Sequence, residues 1–358
     1  MKSNLTLTQL ANFGIDERQR DLLLADHAKL VAEHLHAEHS NVVGVGITAN
    51  PEPNSQNDSV ALVLLLKKEQ HQAAALYGER SASGWKILYE VTGEIRPLNH
   101  AAASACAELD TPGLTAGFRA KYRPVPGGVS VSAAASGVLT GTIGCQVVSN
   151  GKTYMLSNNH ILANTNRLSA GAVIIQPGSA DGGSAGDAVG KLSAVAAMVA
   201  STPSAPVNNA ADAAIAAYDE GIASSALLKK TDSTDYSLAS PVVAGSVGLE
   251  VQKSGRTTDY TTGKIKTIHL TIKMPYPDGK EYQFSDAFSI EPAVSTSAFS
   301  LSGDSGSIVS TVDGNHPVGL LFAGNSSAPY LSIANALPGV LAALKAANSG
   351  HDVTIKYS

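Results

Sequence analysis

Cysteine is nearly absent from the sequence, since Cys106 and Cys145 are the only two in 358 residues. They fall in regions that we predict to be different domains, so we interpret both as reduced thiols and not as a disulfide. The first six residues also lack the apolar core of a signal peptide. These features favour a cytoplasmic location.

Runs of one charge and long apolar segments are missing as well. The formal net charge is −5, and no cluster of Lys and Arg occurs that would attract a nucleic acid. No apolar segment reaches the roughly 20 residues that a membrane-spanning helix needs. We therefore expect neither a nucleic-acid partner nor a membrane partner.

Aromatic residues make up only 5% of the chain, whereas small and β-branched residues are abundant. The hydrophobic content of 44% is nevertheless enough for a substantial core. This composition favours many short strands over a large helical bundle.

The first 110 residues predict a small α+β domain with a regulatory or assembly role. Asp16 and Gln19 have the spacing of a capping box, and apolar residues at helical spacing extend the predicted helix over 16–38. Apolar segments predict strands at 42–47, 60–66 and 85–91. A short helix is predicted after them, at 101–109. Residues 111–136 are rich in Pro, Gly, Ser and Ala, which indicates a linker.

Four histidines, His27, His34, His36 and His39, lie on or next to the predicted N-terminal helix. A metal site there is an alternative, but the spacing matches no familiar ligand set. We interpret these histidines as a solvated polar face and expect no metal and no cofactor.

Residues 137–348 predict a mainly β domain. Asn150 and Gly151 separate two strand-like segments, 147–149 and 152–156, as in a hairpin. Further strands are predicted at 172–175, 189–192, 213–217, 249–253, 264–271, 282–288, 308–312, 318–322 and 330–333. A helix predicted at 334–347 ends the domain. Many short strands followed by one helix fit a double barrel, with barrels at about 137–235 and 248–333.

The motif Gly303-Asp304-Ser305-Gly306 precedes one of these strands and suits a nucleophile. Glycine allows a close approach of the backbone to a substrate. The N–H groups of Gly303 and Ser305 can then form an oxyanion hole. A serine needs a base and an orienting acid, which the motif itself does not supply.

His160 and Asp212 supply those groups, each beside a predicted strand. Near neutral pH a histidine can accept the serine proton, and a buried aspartate can fix its tautomer. Three rival acids, Asp181, Asp187 and Asp219, are interpreted as turn or solvent-exposed residues. The chain order His160, Asp212, Ser305 is that of the chymotrypsin-like triad.

With these motifs, residues 137–346 resemble a trypsin-like (chymotrypsin-fold) serine protease. Segments 42–46, 156–162 and 254–258 make the whole chain most similar to bacterial relatives of the plant Narrow Leaf trypsin-like proteins. The resemblance implies two six-stranded antiparallel barrels with the site between them. It also implies Ser305 as nucleophile, His160 as general base and then acid, and Asp212 as its orienter.

The resemblance also implies the pocket that binds the substrate side chain. Phe299 would form its floor next to Ser300, and Gly324 and Asn325 would lie on its wall. The backbone of 322–325 would pair with a peptide substrate as an added strand. Because no charge lines this pocket, we expect small or apolar side chains before the cleaved bond.

Two departures from secreted trypsins stand out. Ile161 replaces the cysteine that follows their histidine, and no disulfide can bracket the serine segment. No activation site is evident before the first barrel, so Asp304 needs a partner other than a freed N-terminus. We expect backbone N–H groups or a Lys or Arg in that role. We also expect that activity needs no proteolytic maturation, so that active protein is not cleaved within 115–140.

The sequence thus predicts an intracellular serine endopeptidase that acts on a protein or peptide through an acyl-enzyme. A homo-oligomer is possible. The alternatives are a catalytically silent binding or scaffold module, a serine esterase on the same machinery, and a phage or viral polyprotein-type protease.

Overall fold

A computed structural model describes residues 5–38, 40–54, 58–98, 117–137, 139–229 and 234–357. The fold is mainly β. The strands in chain order are β1 (Val42–Ala49), β2 (Val60–Leu66), β3 (Lys86–Val91), β4 (Arg96–Pro97), β5 (Val125–Gly127), β6 (Ser130–Ala133), β7 (Gly141–Thr142), β8 (Cys145–Ser149), β9 (Lys152–Ser157), β10 (Val173–Ile175), β11 (Ala188–Val195), β12 (Asn208–Asn209), β13 (Ala214–Tyr218), β14 (Ala223–Lys229), β15 (Thr234–Tyr236), β16 (Glu250–Gly255), β17 (Asp259–Pro275), β18 (Glu281–Pro292), β19 (Ile308–Thr311), β20 (Pro317–Gly324), β21 (Ser332–Ala336) and β22 (Thr354–Ile355).

The helical elements are few and mostly short. They are α1 (Glu17–Leu30), α2 (Ala73–Tyr77), α3 (Asn159–Leu162) and α4 (Leu337–Ala347), with 3-10 turns at Leu7–Phe13, Ser179–Asp181 and Ala185–Asp187 and a π-helical turn at Val31–Leu35. Among the described helices, none has the length and apolar character to span a bilayer.

The second barrel is a closed ring of six antiparallel strands. Its order is β16, β17, β18, β21, β20, β19 and back to β16, and each neighbouring pair is hydrogen-bonded. Val251, Ile265, Ile290 and Val318 are buried in its core. Closure leaves no free edge within this ring.

The first barrel contains the strand order β8, β9, β13, β11, β10, β6, flanked by β22 and β7. The predicted hairpin is present, with Asn150 at φ 46° and Gly151 at φ 72° in its turn. Val131, Met155 and Ile174 belong to its buried core. The predicted mainly β fold, a chymotrypsin-like double barrel after an α+β N-terminal region, is confirmed.

The N-terminal region has the predicted helix, with the capping box of Asp16 and Gln19. Its strands, however, extend the sheet of the second barrel, because β1 pairs with β17 at Gly44↔Ile272. Apolar residues of this region, such as Leu62, share one core with barrel residues such as Val251. The structure thus differs from the predicted separate domain over 1–110. The reason is the length of the 17-residue strand β17, which pairs with β16 over its first residues and with β1 farther along, besides its pairing with β18.

The predicted linker over 111–136 is contradicted where the structure describes it. Strands β5 and β6 lie there, both are buried, and β6 pairs with β10. The glycines reflect close packing, since a Cβ at Gly127 would lie 2.5 Å from the carbonyl oxygen of Gly144. The helix predicted over 101–109 lies outside the described residues, as does Cys106.

The C-terminal helix and the end of the domain also differ from the prediction. The helix predicted over 334–347 begins only at Leu337, because residues up to Ala336 belong to strand β21. Strand β22 follows the predicted end of the domain at residue 348 and pairs with β8 of the first barrel.

Candidate active site

His160 and Asp212 meet because they flank neighbouring strands. Strand β9 ends just before His160, β13 begins just after Asp212, and the two strands pair at Ala214↔Ser157. His160 Nδ1 lies 2.5 Å from Asp212 Oδ2, and the His160 backbone N–H donates to Oδ1 at 3.1 Å. Both side chains are buried. The structure therefore brings together the predicted base and the predicted orienting acid.

Tyr276 is a third member of this buried group. Its hydroxyl donates to Asp212 Oδ2 at 2.8 Å. Burial, together with the Asp212 carboxylate, raises the pKa of Tyr276 well above its usual range. Asn335 adds support, since its side-chain oxygen accepts from the Asp212 backbone N–H at 2.9 Å. Neither residue belongs to a recognisable motif, which is why sequence analysis missed both.

Ser305 lies in a turn of the second barrel that docks against the first. Gly303 at φ 104° and Gly306 at φ 95° shape this turn. A Cβ at Gly306 would overlap Ser157 Oγ and the Thr142 carbonyl oxygen, and the Thr142 N–H donates to the Ser305 carbonyl at 2.8 Å. The Ser305 turn is therefore anchored on Thr142 and on Ser157, the last residue of strand β9, three residues before His160.

The Ser305 hydroxyl has a backbone partner in this structure. Its Oγ donates to the Phe322 carbonyl oxygen at 3.1 Å. His160 Nε2 is buried and has no hydrogen-bond partner among the described residues. The structure therefore contains His160 and Asp212 as a hydrogen-bonded pair, whereas the Ser305 side chain is directed to a backbone acceptor.

Asp304 has all its partners within the chain. Its Oδ1 accepts from the backbone N–H groups of Thr257 and Thr258 at 2.8 and 3.2 Å. Its Oδ2 accepts from the Thr258 hydroxyl at 2.8 Å and the Leu301 N–H at 2.9 Å, and Lys253 Nζ lies 3.8 Å away. Lys253 is fully buried, and desolvation lowers its pKa while Asp304 opposes that change. The Asp304 carboxylate thus has both kinds of partner expected from the sequence, backbone N–H groups and a lysine.

The N–H of Gly303, one of the two predicted oxyanion-hole donors, has an acceptor in the chain itself. It donates to the Leu98 carbonyl oxygen at 2.8 Å. The Leu98 N–H in turn donates to the Phe322 carbonyl at 3.0 Å. Strand β4, which directly precedes Leu98, pairs antiparallel with β20 at Ala323↔Pro97 and Gly324↔Arg96. The segment predicted to bind a substrate strand is thus paired with residues 96–98.

The four predicted pocket residues are buried or lie on strand β20. Phe299 packs near Gly263, with Lys253 Nζ 5.8 Å from its ring centroid. Ser300 Oγ is 2.6 Å from Ser332 Oγ. Asn325 is engaged structurally, since its side chain donates to the carbonyls of Thr92 and Pro329 and accepts from the Leu331 N–H. Gly324 lies next to Leu98, whose Cδ2 would be 3.4 Å from a Cβ at that position.

The rival acids have other partners. Asp181 forms a buried ion pair with Arg256 at 2.6 Å. Asp187 pairs with Lys121 at 2.7 Å, and these contacts hold its pKa below the usual range. Asp219 is exposed. None of the contacts found for these residues involves His160.

The N-terminal histidines do not converge. His27 is buried and contacts the Val45 carbonyl, and desolvation lowers its pKa to about 3. His36 contacts Gln283, and His39 is outside the described residues. Within the described ranges, no group of three or more His, Cys, Asp or Glu residues is arranged to hold a metal ion.

Comparisons with known proteins gave matches only among solved structures. No protein-family model and no curated protein matches the chain. A glutamic acid-specific serine protease described as using a histidine triad in substrate binding is 22% identical, with TM-score 0.45, over 65% of this chain and 100% of its own. Protease A of Thermobifida fusca is 14% identical, with TM-score 0.44 over 65% and 100% of the two chains. A chymotrypsin of Cellulomonas bogoriensis is 17% identical, with TM-score 0.42 over 65% and 99%.

Proposed function

We propose that this protein is a serine endopeptidase in which Ser305, His160 and Asp212 form the catalytic triad. The observation that carries the proposal is the buried His160–Asp212 pair, with Nδ1 and Oδ2 2.5 Å apart. The glycine-flanked Ser305 turn supports it, since this turn docks on Thr142 and on Ser157 at the end of the strand that leads to His160. A buried carboxylate on Nδ1 holds the imidazole so that Nε2 can accept a proton.

In the proposed reaction, the Ser305 side chain turns from the Phe322 carbonyl to His160 Nε2. His160 takes the hydroxyl proton while Oγ adds to the substrate carbonyl carbon. The protonated imidazole then donates to the leaving amine, and water releases the acyl group by the reverse sequence. Asp212 stabilises the imidazolium, and Tyr276 positions Asp212 through its hydrogen bond to Oδ2.

The developing oxyanion would be bound by the N–H groups of Gly303 and Ser305. The 2.8 Å hydrogen bond from the Gly303 N–H to a carbonyl oxygen supports this role, since that donor already points at a peptide carbonyl. The intrachain partners of Asp304 keep the turn in place, so this oxyanion hole needs no new N-terminus.

Three finer points belong to the same proposal and come from the sequence. They are the relation to bacterial relatives of the plant Narrow Leaf trypsin-like proteins, the cytoplasmic location and assembly into a homo-oligomer. Selection of a small or apolar side chain before the cleaved bond is supported by the burial of Leu98 in an apolar cluster and by the position of its Cδ2 next to Gly324.

The test is turnover of a casein substrate and of a matched peptide ester by purified protein. Ser305→Ala and His160→Ala should each lower turnover at least about a thousandfold, because each removes an essential step. Ser295→Ala alters an exposed serine of the same region and serves as the control. Near-full activity of Ser305→Ala would refute the proposal, and hydrolysis of the ester alone would identify an esterase.

A further inference from the structure

Residues 94–98 lie across the candidate active site as a peptide substrate would. Strand β4 adds to β20 in antiparallel register, with Arg96 opposite Gly324 and Pro97 opposite Ala323. Addition of an extended segment to an exposed strand is a general way to bind peptides, with backbone hydrogen bonds for affinity and alternate side chains for specificity. This segment belongs to the chain itself, so its local concentration at the site is high.

Leu98 is placed at the reacting position of this segment. Its carbonyl oxygen accepts from the Gly303 N–H at 2.8 Å, as the carbonyl of a bond about to be attacked would. Its N–H donates to the Phe322 carbonyl at 3.0 Å, and Ser305 Oγ donates to the same oxygen at 3.1 Å. The nucleophile and the residue that carries the carbonyl are therefore held by one acceptor atom.

The Leu98 side chain supports the same placement. It is only 4% exposed, although Arg96, two residues earlier, is exposed. Its Cδ2 packs against Gly324, since a Cβ there would lie 3.4 Å away, an ordinary van der Waals contact, so the leucine lies on the predicted wall of the pocket. Three residues earlier, Ile95 is buried against the cluster of Phe322 and Leu270, which anchors the segment upstream.

We propose that this segment is an intramolecular substrate and that the protein cleaves itself at the peptide bond on the carboxyl side of Leu98. This proposal rests on the proposed function. Ser305 Oγ bonds to the Leu98 carbonyl carbon, and its proton passes to His160 Nε2. The C–N bond to residue 99 then breaks, and His160 protonates the released amine, which becomes a new N-terminus.

Water completes the reaction by hydrolysing the Leu98 ester. It gives its proton to His160, the ester bond breaks, and Ser305 regains its proton, leaving Leu98 with a free carboxylate. The products are chains of residues 1–98 and 99–358, with one water added in total. The first chain stays attached through β1 and β2, which pair with β17. This cleavage lies outside the 115–140 segment and does not serve to provide Asp304 with a partner.

Leu98 also remains in the pocket after cleavage, as a bound product. A peptide substrate must displace it before it can react. A Leu98→Asp variant carries a charge that an apolar pocket rejects, so we expect both loss of self-cleavage and easier access for other ligands. Leu76→Asp makes the same change at a leucine that is 58% exposed and is the matched control.

Intact mass spectrometry over time tests the proposal on wild type, Ser305→Ala, Leu98→Asp and Leu76→Asp. Wild type and Leu76→Asp should convert to chains 1–98 and 99–358, at a first-order rate that does not change with protein concentration. Ser305→Ala should stay intact, and cleavage of Leu98→Asp should be at least about a hundredfold slower. Leu98→Gly, which introduces no charge, is the second variant should Leu98→Asp fail to fold.

Labelling with a fluorophosphonate separates the possible failures. If wild type stays intact, or is cut at another bond, while Leu98→Asp or Leu98→Gly is labelled at Ser305, self-cleavage is refuted and the proposed function stands. If the folded Leu98 variants are neither labelled nor active on casein, the proposed function itself fails. Cleavage of Ser305→Ala at Leu98 would also overturn the proposal, because another protease would then be responsible.

Discussion

Replacement of Asp304 by asparagine should destabilise the protein and disable the site for the same structural reason. Each carboxylate oxygen accepts two hydrogen bonds, from Thr257 and Thr258 on one side and from Thr258 and Leu301 on the other. In Asp304→Asn, an NH₂ group must replace one of these oxygens and face two donors. The change also removes the negative charge near Lys253.

The expected cost follows from these contacts. Removal of one partner from a buried ion pair costs about 3–5 kcal/mol, because the other charge stays buried without compensation. Lys253 is such a charge, since its side chain is 0% exposed. It keeps its hydrogen bonds to the Thr258 hydroxyl and the Asp259 carbonyl, so we expect a value at the lower end, about 3 kcal/mol.

Urea unfolding followed by the fluorescence of Trp85, the single tryptophan, measures this change in free energy. Trp85 belongs to the same core cluster as Val251 and Val309 of the second barrel, so it reports on the region that Asp304 supports. Asp187→Asn is the control, because this aspartate pairs with Lys121 at a partly exposed position. Its loss should cost less than about 1 kcal/mol.

A double variant separates the ion pair from the hydrogen bonds. Lys253→Met removes the buried cation, so Lys253→Met/Asp304→Asn should be more stable than Asp304→Asn by at least about 1 kcal/mol. Catalytic turnover should stay low in both, at least about tenfold below wild type, because the turn with Gly303 has lost its support in each. A cost below about 1 kcal/mol for Asp304→Asn, or a double variant no more stable than the single, would refute this reasoning.

Three further predictions use other parts of the site. The pKa of Tyr276 is raised in the folded protein above its unfolded-state pKa of about 10. The stability that Tyr276 contributes is therefore fully present below about pH 10 and is lost as the pH rises toward the folded-state pKa. Between about pH 10 and 11, wild type should therefore lose about 1 kcal/mol more than Tyr276→Phe in urea unfolding, and parallel profiles would contradict this. A p-nitroanilide with the sequence of residues 95–98 should be cleaved at least about tenfold faster than its Arg-ending analogue, and the reverse order would exclude an apolar pocket. Burial raises the pKa of the Cys145 thiol to about 12, so iodoacetamide at about pH 8 should leave Cys145 unmodified in native protein, whereas rapid modification would show that the thiol is accessible.

Local patterns were enough to predict the fold class and to single out the residues of the candidate triad. The capping box at Asp16, the Asn150-Gly151 hairpin and most strands depend on neighbours in sequence, and such signals survive in a single chain. His160 and Asp212 were found because each lies beside an apolar strand, and the structure places those strands side by side.

Contacts between distant segments could not be read from the same patterns. Tyr276 reaches Asp212 across 64 positions, and Asn335 reaches it across 123. The pairing of β1 with β17 likewise turned an expected separate domain into an extension of the barrel sheet. Leu98 lies in a segment with no motif of its own, and its proposed role as an internal substrate rests on its hydrogen bonds to Gly303 and Phe322.

The composition of residues 111–136 misled for a different reason. Gly127 and Gly128 belong to the composition that predicts a linker, but Gly127 lies against the Gly144 carbonyl and Gly128 adopts φ 84° next to Ser254. Glycine is needed at both positions because a side chain would collide or strain the backbone. A single sequence does not distinguish glycine that permits close packing from glycine that permits flexibility.

The central claim is that Ser305 is a nucleophile activated by His160 and Asp212. The most direct measurement is peptide mapping of the fluorophosphonate adduct, made on Leu98→Asp so that the internal segment does not block the site, with and without the added change His160→Ala. The account predicts one adduct, on Ser305, and its loss when His160 is replaced. An adduct on another serine, or equal labelling of Ser305 without His160, would contradict it.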